Sequence, residues 1–380
     1  MSSRTVCLCA NTLYYPEGGG HLWVYLNWAL GLQSNNCQLV WLELVDPKTP
    51  SDELHGKVSA LLTRLKPYGI SGHIALTSWT DEPLPPNITR GYLDIEDAAS
   101  ADLLLNIQYD LQPQNVSLFR RSVFLDIDPG LLQFWIDKGQ VVLAPHDWYF
   151  TIGETVGRPG SRFPTVGLQW QYTPPCVSLD WWQPSKAENE APFTTVVHWW
   201  ASSCVEDDTL PDEKRHGFLP YLDLPKSVSQ PLELAVDLGA NDEAQVISEK
   251  QMLKDHGWRL QDPRLVAATP WQYTQYIQKS RAEFSCAKPS CIRLQNAWIS
   301  DRTLCYLASG KPAVVEHTGP SRFLPDAAGL FRFRNKTEAV RHIETVVTDY
   351  ERQCHLARAL AEEYFDARKV VQRVLEQVLS

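Results

Sequence analysis

Residues 18–21 read GGGH and stand between an apolar run, TVCLCAN, and an apolar-periodic run, LWVYLNWALGL. Consecutive glycines weaken any regular element, so a turn built from Gly18, Gly19 and Gly20 needs positive φ angles or bare backbone close to a ligand. His21 then falls in the first turn of the following helix. The helix N-terminus there lowers an imidazole pKa and leaves a neutral ring able to take a proton. The structural alternative is a tight turn whose histidine only hydrogen-bonds backbone, and both readings stand.

A second stretch, NAWISDRTLCYLASGKPAVVEHTG, covers residues 296–319. Ser300 fits a helix N-cap, Asp301, Arg302 and Thr303 fill the first turn, and Leu304, Leu307 and Ala308 face inward at helical spacing. Gly310 ends the helix, Lys311 and Pro312 prevent its continuation, and Ala313 to Val315 enter a sheet. Glu316 and Thr318 emerge at that strand's carboxyl end. A helix N-terminus suits a phosphate, Arg302 adds a fork of donors and Lys288 a point charge, while Glu316 suits ribose or hexose hydroxyls. The plainer alternative is a capped α/β helix whose Arg302 pairs with Asp301 or another carboxylate.

Further candidates follow strand ends. FLDIDPG places Asp126 and Asp128 where they would bond sugar or acceptor hydroxyls, although Asp before Pro-Gly is also ordinary turn chemistry. APHDWYFTIGE offers His146, Trp148 and Glu154. Trp23 and Trp148 are rings on which a sugar or planar acceptor would stack, against the alternative that tryptophans fill cores.

These residues need elements to carry them. Candidate strands are 5–10, 38–44, 73–76, 102–107, 122–127 and 141–143, with helical stripes at Leu22, Leu26, Ala29 and Leu30 and at Leu54, Val58, Leu61, Leu62 and Leu65. Alternating elements with nearly continuous apolar strands predict a parallel sheet covered on both faces. A proline-rich stretch at 172–192 reads as a linker. The alternation resumes with strands at 193–199, 282–285 and 313–315, helices near 249–255 and at 301–309, and a helical tail from Thr337 with Asp366 as an N-cap. A chain of 380 residues exceeds the size at which one core keeps growing. Three segments are therefore expected: 1–178, 179–356, and a tail at 357–380 whose helix returns to the first domain. Open α/β sheets bind ligands at their carboxyl ends.

A formal net charge of −10 with no basic stripe argues against a grip on nucleic acid. The nine cysteines are scattered without zinc-site spacing, so free thiols in a reducing compartment are expected. No window reaches the roughly 18 to 20 apolar residues of a membrane span, and the start lacks a signal peptide's basic and apolar regions. A cytoplasmic protein is the expectation.

The run from Ser280 to Gly319 resembles the donor-binding half of GT-B glycosyltransferases, where a short helix ending in Gly-Lys-Pro and the next strand cradle a nucleotide diphosphate. GGGHLWVYLNWALGLQSNNCQLVWLEL resembles the amino-terminal loop, helix and second strand of that superfamily. TIGETVG, SRAEFSCAKPSC, SDRTLCYLASGKPAVVEHTGPSRFLP and AEEYFD are similar to bacterial glycosyltransferase-like proteins. The resemblance implies an α/β GT-B fold, two Rossmann-like domains with parallel sheets facing across a cleft, the first on the acceptor side. It implies a metal-independent transferase with a nucleotide-sugar donor, a small-molecule acceptor and no cofactor. His21 and Glu316 would be catalytic, His21 as the base for the acceptor. Gly19, Gly20, Lys288, Ser300, Asp301, Arg302, Thr303, Thr318 and Gly319 would hold the donor, and Trp23, Asp126, Asp128, His146, Trp148 and Glu154 the acceptor. One departure stands out. Many GT-B enzymes bind the ribose with a glutamate on the second helical turn, where Cys305 and Tyr306 stand here, which leaves Glu316 or Asp301 for that role. A sugar-nucleotide epimerase and a non-catalytic sugar-nucleotide binder are the alternatives on the same scaffold. Stereochemistry and oligomeric state stay open.

Overall fold

A computed structural model describes residues 4–70, 72–200, 212–239 and 243–379. The chain divides into two compact units. The first runs to Pro159 and takes in Phe163–Ser178 and the segment from Ala367 onward. The second comprises Gly160–Arg162 and Leu179–Asp366.

The sheet of the first unit is built from β1 (Arg4–Ala10), β2 (Cys37–Val45), β3 (Ile74–Ser78), β4 (Leu103–Asn106), β5 (Ser122–Asp126), β6 (Trp148–Thr151) and β7 (Trp170–Tyr172). Their order is β3-β2-β1-β4-β5-β6-β7, and every neighbouring pair is parallel. Val6 to Ala10 are all buried, the burial that a parallel strand covered on both faces requires. Strand order reverses between β1 and β4, which makes their carboxyl ends a topological switch point where such sheets take ligands.

In the second unit the strands are β8 (Phe193–His198), β9 (Leu232–Asp237), β10 (Arg259–Gln261), β11 (Ala282–Ser285), β12 (Ala313–Glu316), β13 (Ala327–Ala328) and β14 (Leu330–Phe333), in the order β10-β9-β8-β11-β12-β14-β13. Only the β13–β14 pair is antiparallel among them. The switch point here lies between β8 and β11. Its core collects Phe193, Trp199, Phe218, Trp258, Phe284, Phe331 and Phe333.

One expected strand is absent, and one of the two readings of the glycine turn falls away. Val141 to Leu143 form no strand, and Val142 is 83 % exposed. Gly139 turns the chain with φ +69, and Val141 N bonds back to Trp135 O, so this run closes the preceding helix. The strand beside β5 is the aromatic run Trp148–Thr151 instead. The glycine turn also has no positive φ: Gly18 sits at φ −100, and α1 (Gly19–Ser34) already begins at Gly19. Space is what Gly18 supplies, since a Cβ on it would stand 3.1 Å from His21 Cβ and 3.2 Å from Tyr15 O.

The helix Ala367–Leu379 buries Val370, Val371, Val374, Leu375 and Val378 and packs on α1. Gly31 makes that contact possible, because a Cβ there would meet Val371 Cγ2 at 2.6 Å and Ala367 O at 2.9 Å. Among the described residues no helix is long and apolar enough to cross a membrane.

Candidate functional site

In the second unit β11 and β12 run side by side, with Ser285 opposite Val315. The helix Asp301–Ala308 leads into β12. Its apolar stripe of Leu304, Leu307 and Ala308 is buried as the spacing requires, and so are Cys305 and Tyr306. Ser300 caps it, its hydroxyl accepting from Arg302 N at 3.3 Å. A pocket opens at these strand ends, lined by Ser285, Cys286, Ala287, Trp298, Ile299, Ser300, Arg302, Thr303, Glu316 and Thr318. The amino end of the helix, Ser300 to Thr303, therefore borders a concave space, and a helix N-terminus favours an anion.

Glu316 lines that pocket. Its carboxylate accepts from the Tyr221 hydroxyl and from Ala287 N, both at 3.0 Å. Burial raises its pKa, with the two hydrogen bonds opposing. Each oxygen keeps a further lone pair for a hydroxyl group.

Arg302 takes the plainer of its two readings and pairs with a carboxylate. Its Nε donates to Glu283 Oε1 at 2.8 Å, Nη1 to Val196 O at 3.0 Å and Nη2 to Ser285 Oγ at 2.6 Å. The guanidinium braces the ends of β8 and β11 rather than offering a free fork, because Glu283 is a wholly buried carboxylate that needs a cation. Thr318 lines the pocket, and both it and Gly319 make contacts within the protein. The Thr318 hydroxyl donates to Trp298 O at 2.5 Å, its carbonyl accepts from Ala297 N at 3.0 Å, and Gly319, at φ +139, lies where a Cβ would be 2.6 Å from Gln295 O. These contacts hold the loop before the helix, where Gln295 and Ala297 adopt φ of 53° and 54°. Left-handed backbone at two non-glycine residues costs on the order of 1–3 kcal/mol each and persists where surroundings enforce it.

Lys214 was not anticipated from the sequence. It starts the short helix Lys214–Phe218, and its Nζ donates to Cys286 O at 2.6 Å and lies 5.8 Å from the Trp298 ring centre, beside two pocket residues. Burial, then the neighbouring positive charge of Arg302, pull its pKa down to about 8, with a smaller push from Lys288. Gly217 brings this helix against the 285–287 loop, since a Cβ there would collide with Ala287 O. Lys288 itself occupies the N-cap position of the helix Pro289–Leu294.

In the first unit His21 Nε2 lies 2.5 Å from Asn11 O. A carbonyl only accepts, so Nε2 carries the proton and Nδ1 keeps its lone pair. Burial lowers the ring's pKa, against the pull of Asn11 O and Asp128. The backbone-bonded alternative is thus present and leaves a basic nitrogen.

Most of the expected acceptor residues sit otherwise. Trp23 is 1 % exposed and packs edge-on against Tyr68, as a core residue on the buried face of α1. Asp126 is fully buried; it accepts from Gln133 Nε2 at 2.9 Å, Thr151 Oγ1 at 2.8 Å and Asp128 N at 2.9 Å, and burial raises its pKa to about 7. Both nitrogens of His146 are engaged, Nδ1 with Ala144 O at 2.7 Å and Nε2 with Asn106 Nδ2 at 3.1 Å, and burial lowers its pKa to about 4. Glu154 is 3 % exposed. Asp128 takes the Tyr109 hydroxyl, and Trp148 is half-buried in β6. Among the described residues no group of three His, Cys, Asp or Glu side chains gathers as metal ligands would.

No family model and no curated protein sequence matches the chain. Solved structures do. The Anabaena protein HepE, in complex with UDP and glucose, is similar over 99 % of both chains at a TM-score of 0.59 and 11 % identity. An α-glucosyltransferase in complex with UDP-glucose and DNA containing an abasic site covers 100 % of both at 0.60 and 10 %, and a glycosyltransferase from Rickettsia africae covers 100 % of both at 0.57 and 10 %. This chain has the GT-B glycosyltransferase fold. In each GT-B unit the candidate chemistry gathers at the carboxyl end of its sheet: His21 after β1, and Lys214, Ser300 and Glu316 around β11 and β12. No local signal marks Lys214, because its partner Cys286 lies 72 residues away.

Proposed function

We propose that the protein is a glycosyltransferase that moves a sugar from a nucleotide-diphosphate donor to a small-molecule acceptor. The observation that carries this reading is the pocket at the Ser300 end of the helix Asp301–Ala308, with a part-buried lysine beside it and a carboxylate in its wall. As the glycosidic bond to the diphosphate breaks, negative charge grows on the leaving oxygen. N–H dipoles and the part-buried Lys214 ammonium, fixed in place, stabilise that charge more than they stabilise the bound donor. Glu316 holds hydroxyl groups of ribose or sugar, in place of a glutamate on the second helical turn. Asp301, a carboxylate in the first turn, is the other candidate for that hold. The first unit takes the acceptor, and His21 Nδ1 removes its proton; the ring is neutral at pH 7 because burial holds its pKa below 6.5. No bound divalent cation is required.

UDP is the nucleotide to try first, since HepE and the α-glucosyltransferase hold UDP or UDP-glucose. The net charge of −10 favours a small acceptor over DNA. The test is a thermal-shift screen of UDP-, GDP- and dTDP-sugars, followed by incubation with the stabilising donor. A raised Tm with slow donor hydrolysis, unchanged by a chelator and lost in His21→Ala without loss of donor affinity, is the expected outcome. An epimerised donor, or binding with no turnover of any kind, would refute transfer.

A further inference from the structure

The loop between β1 and α1 builds a second feature. Glu43 in β2 is fully buried, and its carboxylate accepts from Thr12 N at 2.9 Å, Leu13 N at 3.4 Å, Trp41 Nε1 at 2.8 Å and the Thr12 hydroxyl. A carboxylate removed from water is costly unless its lone pairs are met, and here the donors that meet it pin the loop. The Tyr14 hydroxyl accepts from Asp46 N at 3.0 Å, and its ring stacks on Trp79 with centres 5.4 Å apart. Tyr15 stays 51 % exposed, with its ring 4.4 Å from that of His21.

Tyr15 also lines a shallow pocket with an apolar floor of Leu13, Leu22 and Leu61 and with Lys57 and Arg64 in its wall. The two cations differ. Lys57 bonds Glu53 at 2.8 Å and lies over the Tyr14 ring at 4.6 Å. Arg64 makes no hydrogen bond or ion pair among the described residues; Glu17 acts on its charge without bonding it. A half-buried guanidinium with all its donors open, beside an exposed aromatic ring on a fixed loop, fits a ligand with a C–H face at one end and a forked anion at the other.

We propose that this pocket holds the acceptor through a hexose-type ring that carries a carboxylate or a phosphate, the ring lying on Tyr15 and the anion on Arg64. Its role as acceptor site rests on the transferase reading; the ligand class rests on the pocket's own residues. A neutral sugar would leave Arg64 unmatched, and a ring on Tyr15 lies one side chain from His21.

The full chain is titrated with glucuronate, glucose 6-phosphate and glucose, with and without UDP, by saturation-transfer NMR. Both anionic sugars, or one of them, bind at least tenfold more tightly than glucose. Arg64→Gln removes that preference and Tyr15→Ala weakens every sugar, while UDP binds both variants as it binds the unaltered chain, which reports that they fold. Equal affinity for glucose, an Arg64→Gln variant that titrates normally, or no sugar bound in either condition would overturn the proposal. Donor turnover without anionic-sugar binding would sink this pocket and leave the transferase reading. Anionic-sugar binding with no nucleotide sugar bound would do the reverse.

Discussion

Lys214 is a part-buried ammonium bonded to one carbonyl, Cys286 O, and burial and Arg302 both act against its charge. The cation is present below about pH 8 and lost above it. A bound diphosphate reverses that pull and raises the lysine's pKa, so nucleotide affinity falls as pH rises from 7 to 9.5. Lys214→Met lowers UDP affinity at pH 7 by about tenfold or more, the size of one charge-assisted bond, and flattens the pH profile. Calorimetric titrations at the two pH values measure both effects. His146 titrates in the folded chain near 4 rather than at its ordinary 6.5. Between those values the unfolded chain binds a proton that the folded one refuses, so stability falls as pH falls. Urea unfolding at pH 7 and pH 5 shows a smaller loss in His146→Asn than in the unaltered chain. Neither feature was legible beforehand. Lys214 meets Cys286 across 72 residues, and His146 is fixed by Asn106 across 40. Residue type and local spacing carry no such information, whereas the Ser300 cap, a local rule, was readable.

At the scale of elements, the helices and strands with strong periodicity emerged where the sequence placed them, the strand Ala282–Ser285 to the residue. The half-buried strand did not. Trp170–Tyr172 has no fully buried residue, and Val141 to Leu143 has strand composition but lies where Gly139 and the helix before it dictate the path. Composition states a preference, and tertiary pairing overrides it. The same distinction separates two glycines in helices. Gly31 faces Val371 and Ala367 O too closely for a Cβ, while Gly56 in α2 (Ser51–Leu65) has nothing within 4 Å. Gly31→Ala should destabilise the first unit by about 1–3 kcal/mol through overpacking. Gly56→Ala should stabilise it by about 0.5–1 kcal/mol, the helix-propensity difference. Denaturant midpoints measure both, and equal effects at the two sites would contradict the packing of α1 on the helix Ala367–Leu379.

Across the whole molecule, two doubly wound sheets each offer a switch point, and their residues divide the chemistry: a basic nitrogen after β1, and an anion-friendly pocket with a carboxylate at β11 and β12. The alternation of strands and helices made both sheets legible. The partners that disarm Arg302, Asp126 and His146 were not, since each lies on another element. The proposed transfer requires the pocket at the amino end of the helix Asp301–Ala308 to hold the diphosphate of a sugar nucleotide. A crystal structure of the full chain with UDP-glucose tests it most directly. The expected result is a diphosphate within hydrogen-bond distance of Lys214 Nζ and of the backbone at that helix end, with Glu316 on a hydroxyl group; a diphosphate bound elsewhere, with this pocket filled by side chains, would refute the proposed donor site.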